Sequence, residues 1–375
     1  MLGMRVLGAI LGTVVLLIIL WDGFEVIILP RRVTRKLRLS RLFYLSTWTI
    51  CSWVARRIRS PRRRERYLSI YGPLSLLFLI MVWAIGMILA FALVQWDAGL
   101  PGASFYECIY LSGTTFITLG MGVPHTRAAR EVLILEAGTG FGFLALVISY
   151  LPVLYQSFAK RETSILLLDA RAGSPPTAAE LLRRYATGHG LSAMDDLLRE
   201  WEIWSADLLE TYISYPVLAY FRSQHDNQSW LAALTTILDV CAVVIAGIDG
   251  LSPWQARLTF AMARHTVVDL AQIVNAPPRA PQPDRLAPDA LEQFKAGLAA
   301  AGIAPSNAAE FDAKLAQARR LYEPYVFALA QRFILSPATW MRVSNTFDNW
   351  RTSAWERSSS GLAQTLFDDG GDVHT

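Results

Sequence analysis

The chain has 375 residues, of which 53% are hydrophobic and only 18% charged, and its formal net charge is +4. A mean hydropathy of +0.32 is high for a water-soluble protein, and the length allows two domains of ordinary size. An isoelectric point near 9.0 would suit nucleic acid, but charge placement argues against that partner. Residues 1–159 carry sixteen Lys and Arg against seven Asp and Glu, whereas residues 160–375 carry nineteen against twenty-four. The excess positive charge lies among apolar segments, where membrane topology uses it. Cys51, Cys108 and Cys241 form no CxxC pair and no disulfide framework.

Three apolar stretches, residues 6–29, 68–94 and 131–157, are each long enough for a tilted helix across a roughly 30 Å hydrocarbon core. The first is not read as a signal peptide. No small-residue cleavage site follows it, and Asp22 and Glu25 stand where one should be. Residues 30–66 hold thirteen Arg and Lys opposed only by Glu65, which makes this loop cytoplasmic by the positive-inside rule. The N-terminus is then outside, the third helix runs inward, and the chain after Lys160 is cytoplasmic. Within the basic loop, residues 42–55 are too short to span. They are expected to lie along an anionic inner leaflet, with Trp48 and Trp53 at headgroup level. Asp22 and Glu25 share a helix face and are expected to pair with arginines of the basic loop.

Residues 104–124, SFYECIYLSGTTFITLGMGVP, fall outside by this topology yet are too apolar for an exposed loop. A re-entrant segment reconciles the two facts, because irregular backbone is tolerated at membrane depth when it lines a water-filled path. Ser104 and Glu107 have capping-box spacing for a short helix reaching about Ile117. Thr115, Thr118, Gly120 and Gly122 then follow the pattern T-x-x-T-x-G-x-G. On these residues the chain resembles the potassium-channel family, the type built from outer helix, pore loop and inner helix and found in bacterial two-pore-domain-like ion channels.

That resemblance implies a selectivity filter at Thr115, Thr118, Leu119, Gly120, Met121 and Gly122. It also implies a homotetramer, and K+ held by oxygens of Thr118, Leu119, Gly120 and Met121 as the permeant ion, with no other cofactor. Backbone carbonyls can replace a water shell only if they turn to one axis. Left-handed dihedrals at Gly120 and Gly122, alternating with Leu119 and Met121, are expected to achieve this. The pore-helix C-terminus would present its negative dipole end to a cation. Met121 stands where the family has an aromatic ring, which leaves a non-selective cation channel as the alternative. Val123 replaces an acid and His125, Arg127 and Arg130 follow, so the outer mouth is expected to be positive.

In the third helix, Gly142 lies about twenty residues beyond the filter, where the family carries a hinge. Gly138, Gly140 and Gly142 suit either hinging or close helix packing. Pro152 is expected to bend the helix near an inner constriction flanked by Tyr150 and Tyr155. Gly138, Gly142 and Pro152 are thus the gating candidates. Glu136, an acid within the apolar run, is the candidate for supporting the filter through Thr114 or Thr115.

The predicted fold is all-α: three transmembrane helices with a re-entrant loop, then a helical cytoplasmic domain. Its parts are an N-terminal helix (1–29), the basic loop (30–66), the pore region (67–158) and a helical domain (159–275). A Pro-rich linker (276–288), C-terminal helices (289–356) and a disordered tail (357–375) follow. Thr177 with Glu180, and Ser192 with Asp195, read as helix starts. Residues 230–248 are nearly free of charge. Asp239 at mid-run and a stripe from Leu231 to Ile248 favour a buried helix over a fourth span. His265 and Asp269 suit a helix-surface pair better than a metal site. No catalytic motif or dinucleotide fingerprint is present, so an enzyme is not expected. A membrane-anchored sensor or scaffold is the further alternative.

Overall fold

The computed structural model describes residues 2–29, 38–98, 104–122, 126–186, 190–223 and 228–342. These residues form eleven α-helices and no strand. Four helices are long and apolar enough to cross a membrane: Gly3–Ile27, Pro61–Ala98, Arg127–Ala172 and Trp230–Gly247. The chain divides into two compact units. One comprises Met1–Phe158 with Ile213–Phe221, the other Ala159–Tyr212 with Arg222–Thr375. The tail from residue 357 lies outside the described residues.

In the first unit, α1 (Leu2–Ile27) packs antiparallel on α3 (Pro61–Ala98). Gly8 meets the Trp96 ring, Gly12 meets Ala90 and Leu93, and Ile19 meets Gly86. A Cβ on Gly12 would lie 2.5 Å from the Ala90 carbonyl oxygen, so the two backbones approach closely only because a hydrogen stands there. Gly8 and Gly12 form a GxxxG motif, the small-residue contact that packs helices where lipid supplies no hydrophobic drive. At the other end of α1, Asp22 accepts hydrogen bonds from Ser40 N, Ser40 Oγ and Trp83 Nε1, each at 3.0 Å. Arg38 Nε stands 3.3 Å from Glu25 and 3.9 Å from Asp22, the pairing expected of the basic loop.

Helix α2 (Leu39–Arg57) is longer than the predicted interfacial segment, and its two tryptophans differ. Trp53 is exposed under the Arg57 guanidinium, whereas Trp48 is buried against Tyr71 and Tyr220. The basic loop is also shorter than expected. Arg62, Arg63, Arg64 and Arg66 belong to the first turns of α3.

The second unit contains α6 (Ala178–Ala186), α7 (Met194–Ser214), α8 (Trp230–Gly247), α9 (Pro253–Ile273), α10 (Pro288–Ala300) and α11 (Ala308–Phe333). Despite its composition, α8 is 89% buried within the protein, at the centre of this unit. Its Asp239 is fully buried and bonds to Arg285 and to Tyr322 Oη. Arg285 also reaches Glu323 at 3.0 Å and the Ala338 carbonyl. It comes from residues 276–288, which are irregular but tied to α8 and α11, and so do more than link helical parts.

The helix starts differ in detail from the sequence reading. Thr177 Oγ accepts from Glu180 N at 3.3 Å, but the Glu180 carboxylate turns to Arg183 and Arg184 instead of closing the box. A 3-10 turn at Gly190–Ala193 precedes α7, so the helix starts at Met194. His265 and Asp269 form a surface pair at 3.7 Å.

Three outcomes follow from this packing. Gly12→Ala drives a methyl into the α3 backbone and lowers stability by about 1–3 kcal/mol. Gly23→Ala, with nothing within 4 Å, does not. Thermal unfolding of the two variants in detergent checks the contrast. Arg285→Met leaves Asp239 as an unpaired buried charge and costs about 3–5 kcal/mol by the same measurement. Burial raises the Glu180 carboxyl, but hydrogen bonds from Arg183 and Arg184 outweigh it and lower the pKa from 4.5 to about 2. The contribution of Glu180 is therefore present above pH 4.5 and lost as pH falls toward 2. Glu180→Gln removes that part of the acid sensitivity.

Candidate pore loop

A short helix forms where the sequence reading expects the re-entrant segment. Helix α4 (Phe105–Phe116) starts with a complete capping box: Ser104 Oγ accepts from Glu107 N at 3.3 Å, and Ser104 N donates to Glu107 Oε2 at 2.8 Å. Four carbonyls at the far end of any helix lack intrahelical partners. Here the chain folds back to supply donors. Thr118 N donates to the Thr115 carbonyl at 2.9 Å, and Leu119 N and Gly120 N both donate to the Thr114 carbonyl, at 2.7 and 3.1 Å.

This return needs unusual backbone. Thr118 (φ 64°) and Gly120 (φ 61°) are left-handed, with Leu119 between them. The alternation expected of the filter is present but begins two residues earlier than predicted. Gly122 is not left-handed, and a Cβ there would meet only the end of the Leu111 side chain, Cδ1 at 2.7 Å. A threonine in the left-handed region costs about 1–3 kcal/mol and persists only where its surroundings impose it. The amides of Thr118, Leu119 and Gly120 are spent on the helix end. Among the described residues, none donates to the carbonyls of Thr118, Leu119, Gly120 or Met121.

The six predicted filter residues do not share one environment. Thr115 is buried in the last turn of α4, while Thr118, Leu119, Gly120 and Met121 form an exposed strip. Leu119 is 62% exposed and Met121 65%. Gly122 is half-buried, and Val123 and His125 lie outside the described residues. Arg127 is exposed and pairs with Glu131 at 3.2 Å.

Helix α5 (Arg127–Ala172) touches α4 at Gly140 and Glu136 and continues unbroken through Pro152. Its glycines have separate environments. Gly140 lies directly against the Phe116 carbonyl, leaving no room for a Cβ, whereas Gly138 and Gly142 have nothing within 4 Å. Close packing therefore belongs to Gly140. Phe116 also joins a core with Ile19, Leu79, Trp83 and Met87, and its ring stands 5.9 Å from Phe143. Glu136 is fully buried, and its hydrogen-bond partner is Ser112 of α4 instead of Thr114 or Thr115. Ser112 Oγ also donates to the Ile88 carbonyl of α3 at 2.7 Å.

The segment Ile213–Phe221, with a 3-10 turn at Pro216–Tyr220, belongs to this unit, whereas the sequence reading includes it in the helical domain 159–275 and gives it no separate role. Tyr220 stacks on Tyr44 at 5.6 Å and contacts Trp48 and Tyr71. Phe221 covers Gly72 and meets Phe158 and Tyr155 of α5, while Tyr215 meets Tyr150. The aromatic run around Pro216 was the available signal. The neighbourhood of Pro152 is thus faced by aromatic rings of this segment.

Gly140→Ala is expected to displace the α4 terminus and lower stability by about 1–3 kcal/mol, while Gly138→Ala leaves the packing intact; thermal unfolding in detergent compares them.

A protein-family model described as an ion channel matches residues 76–156, from the middle of α3 through α4 and past Pro152 of α5. No curated protein and no solved structure matches the chain. With its long apolar helices, the chain is a multi-pass membrane protein, and its residues 76–156 are similar to an ion-channel family.

Proposed function

We propose that the chain is one subunit of a homotetrameric potassium-type channel that conducts dehydrated monovalent cations through a backbone-carbonyl filter. The observation that carries this reading is the strip after α4. Its amides are turned into the helix end, its residues alternate in handedness at Thr118 and Gly120, and its carbonyls are left unclaimed among the described residues. A bare cation needs such oxygens in place of water. One strand cannot surround an ion, so several copies must contribute. Phe141, Leu144 and Ile148, exposed along one stripe of α5, supply an apolar face for that assembly.

The Arg-rich residues 30–66 between the apolar parts of α1 and α3 support an inner or plasma membrane topology with the N-terminus outside and the C-terminus cytoplasmic. Regulation by the helical unit is supported by Ile213–Phe221. This segment is continuous in sequence with α7 and α8 but packs against Tyr44, Tyr150 and Tyr155. A non-selective cation channel is the second reading. It is favoured by Met121, whose exposed side chain offers no ring to brace the filter from behind.

Potassium flux into liposomes tests the proposal. Wild-type protein conducts, and Gly120→Val, which puts a branched side chain at φ 61°, does not. Reversal potentials in opposed potassium and sodium gradients separate the two readings. Arg127→Gln makes the outer mouth less positive and raises single-channel conductance. Tyr220→Ala changes open probability without moving the reversal potential. No change in either variant contradicts the corresponding part of the account.

A further inference from the structure

Glu136, Ser112 and Ile88 connect three helices through one hydroxyl. Ser112 Oγ donates to the Ile88 carbonyl at 2.7 Å and is also hydrogen-bonded to Glu136 Oε1. Both side chains are fully buried. A serine hydroxyl has one hydrogen, and an ionised carboxylate can only accept. With the serine hydrogen directed at Ile88, the bond to Glu136 requires a proton from Glu136. The surroundings agree. Among the described residues no Lys, Arg or His pairs with Glu136, and its Oε2 is buried without a partner. An ionised carboxylate there would be desolvated and uncompensated, a state that buried carboxyls avoid by keeping the proton.

We propose that Glu136 is held as a neutral carboxylic acid whose proton is donated to Ser112, making it the positioning residue that fixes the pore helix against its two neighbours. The Glu136 O–H bonds to Ser112 Oγ, and the Ser112 O–H bonds to the Ile88 carbonyl. The relay thus runs in one direction from α5 through α4 to α3. One helical turn further on, Gly140 of α5 abuts the Phe116 carbonyl of α4. Together the two contacts fix both the axial position and the rotation of α4, and Thr118–Gly122 continue from its end. A carboxylate would reverse the first bond, take the only serine hydrogen and release Ile88. The consequence for permeation rests on the channel reading above; the protonation state does not.

Infrared spectroscopy of the full chain in lipid at neutral pH tests the protonation. The carbonyl stretch of an un-ionised carboxylic acid is expected in wild type. It should be absent in Glu136→Gln and shifted in Ser112→Ala, where its hydrogen-bond acceptor is gone. Flux and reversal potential test the positioning. Glu136→Gln keeps a neutral donor and retains wild-type potassium preference, while Glu136→Ala loses roughly tenfold of it, the scale of one buried hydrogen bond. Absence of the infrared band, or Glu136→Gln as impaired as Glu136→Ala, overturns the proposal. Should Glu136→Ala fail to assemble, the band and the behaviour of Glu136→Gln still decide. A wild-type chain that shows the band but carries no potassium contradicts the channel reading and leaves the neutral acid standing.

Discussion

The last carbonyl oxygens of any helix lack intrahelical donors, and the Thr114 carbonyl shows how α4 meets that constraint. It accepts the amides of both Leu119 and Gly120, which forces the backbone to reverse directly after α4. The reversal requires left-handed residues at Thr118 and Gly120. It also spends the amides of the strip on the helix end, so the opposite polarity of the same peptide units remains for a ligand. On the channel reading proposed above, this solution to a local hydrogen-bonding problem is also what leaves the carbonyls of the strip free to meet a cation.

This arrangement is useful only if the end of α4 stays in place. Phe116 anchors it in the core formed with α1 and α3, Gly140 brings the α5 backbone against it, and Ser112 ties it to both outer and inner helices. Farther along α5, Tyr150, Tyr155 and Phe158 face the segment Ile213–Phe221. One helix thus carries both the contact with the end of α4 and the aromatic surface on which that segment rests. In a rigid helix a displacement at one position is felt at the other, which is how a coupling between them would be transmitted.

Much of this was legible in local sequence. The Ser104–Glu107 capping box needs only its own spacing. The apolar stretches, the acids Asp22 and Glu25 opposite a basic loop, and Asp239 as an argument for a buried α8 all rest on short-range pattern or on charge. The GxxxG contact of Gly8 and Gly12 was equally present in the sequence and went unread. What stayed hidden depends on distance relations. Gly138, Gly140 and Gly142 look alike until α4 is placed, when only Gly140 faces a carbonyl. Handedness at Thr118 in place of Gly122 follows from which carbonyls need donors. Trp48 suited an interface by composition, but its neighbours Tyr71 and Tyr220 come from remote parts of the chain.

The most direct test is a structure of the assembled protein in lipid, determined in a potassium analogue of high scattering power such as thallium. The account predicts four chains around one axis, with ion density bounded by the carbonyl oxygens of Thr118, Leu119, Gly120 and Met121. An assembly in which those oxygens face protein, and no ion lies between the chains, would contradict it.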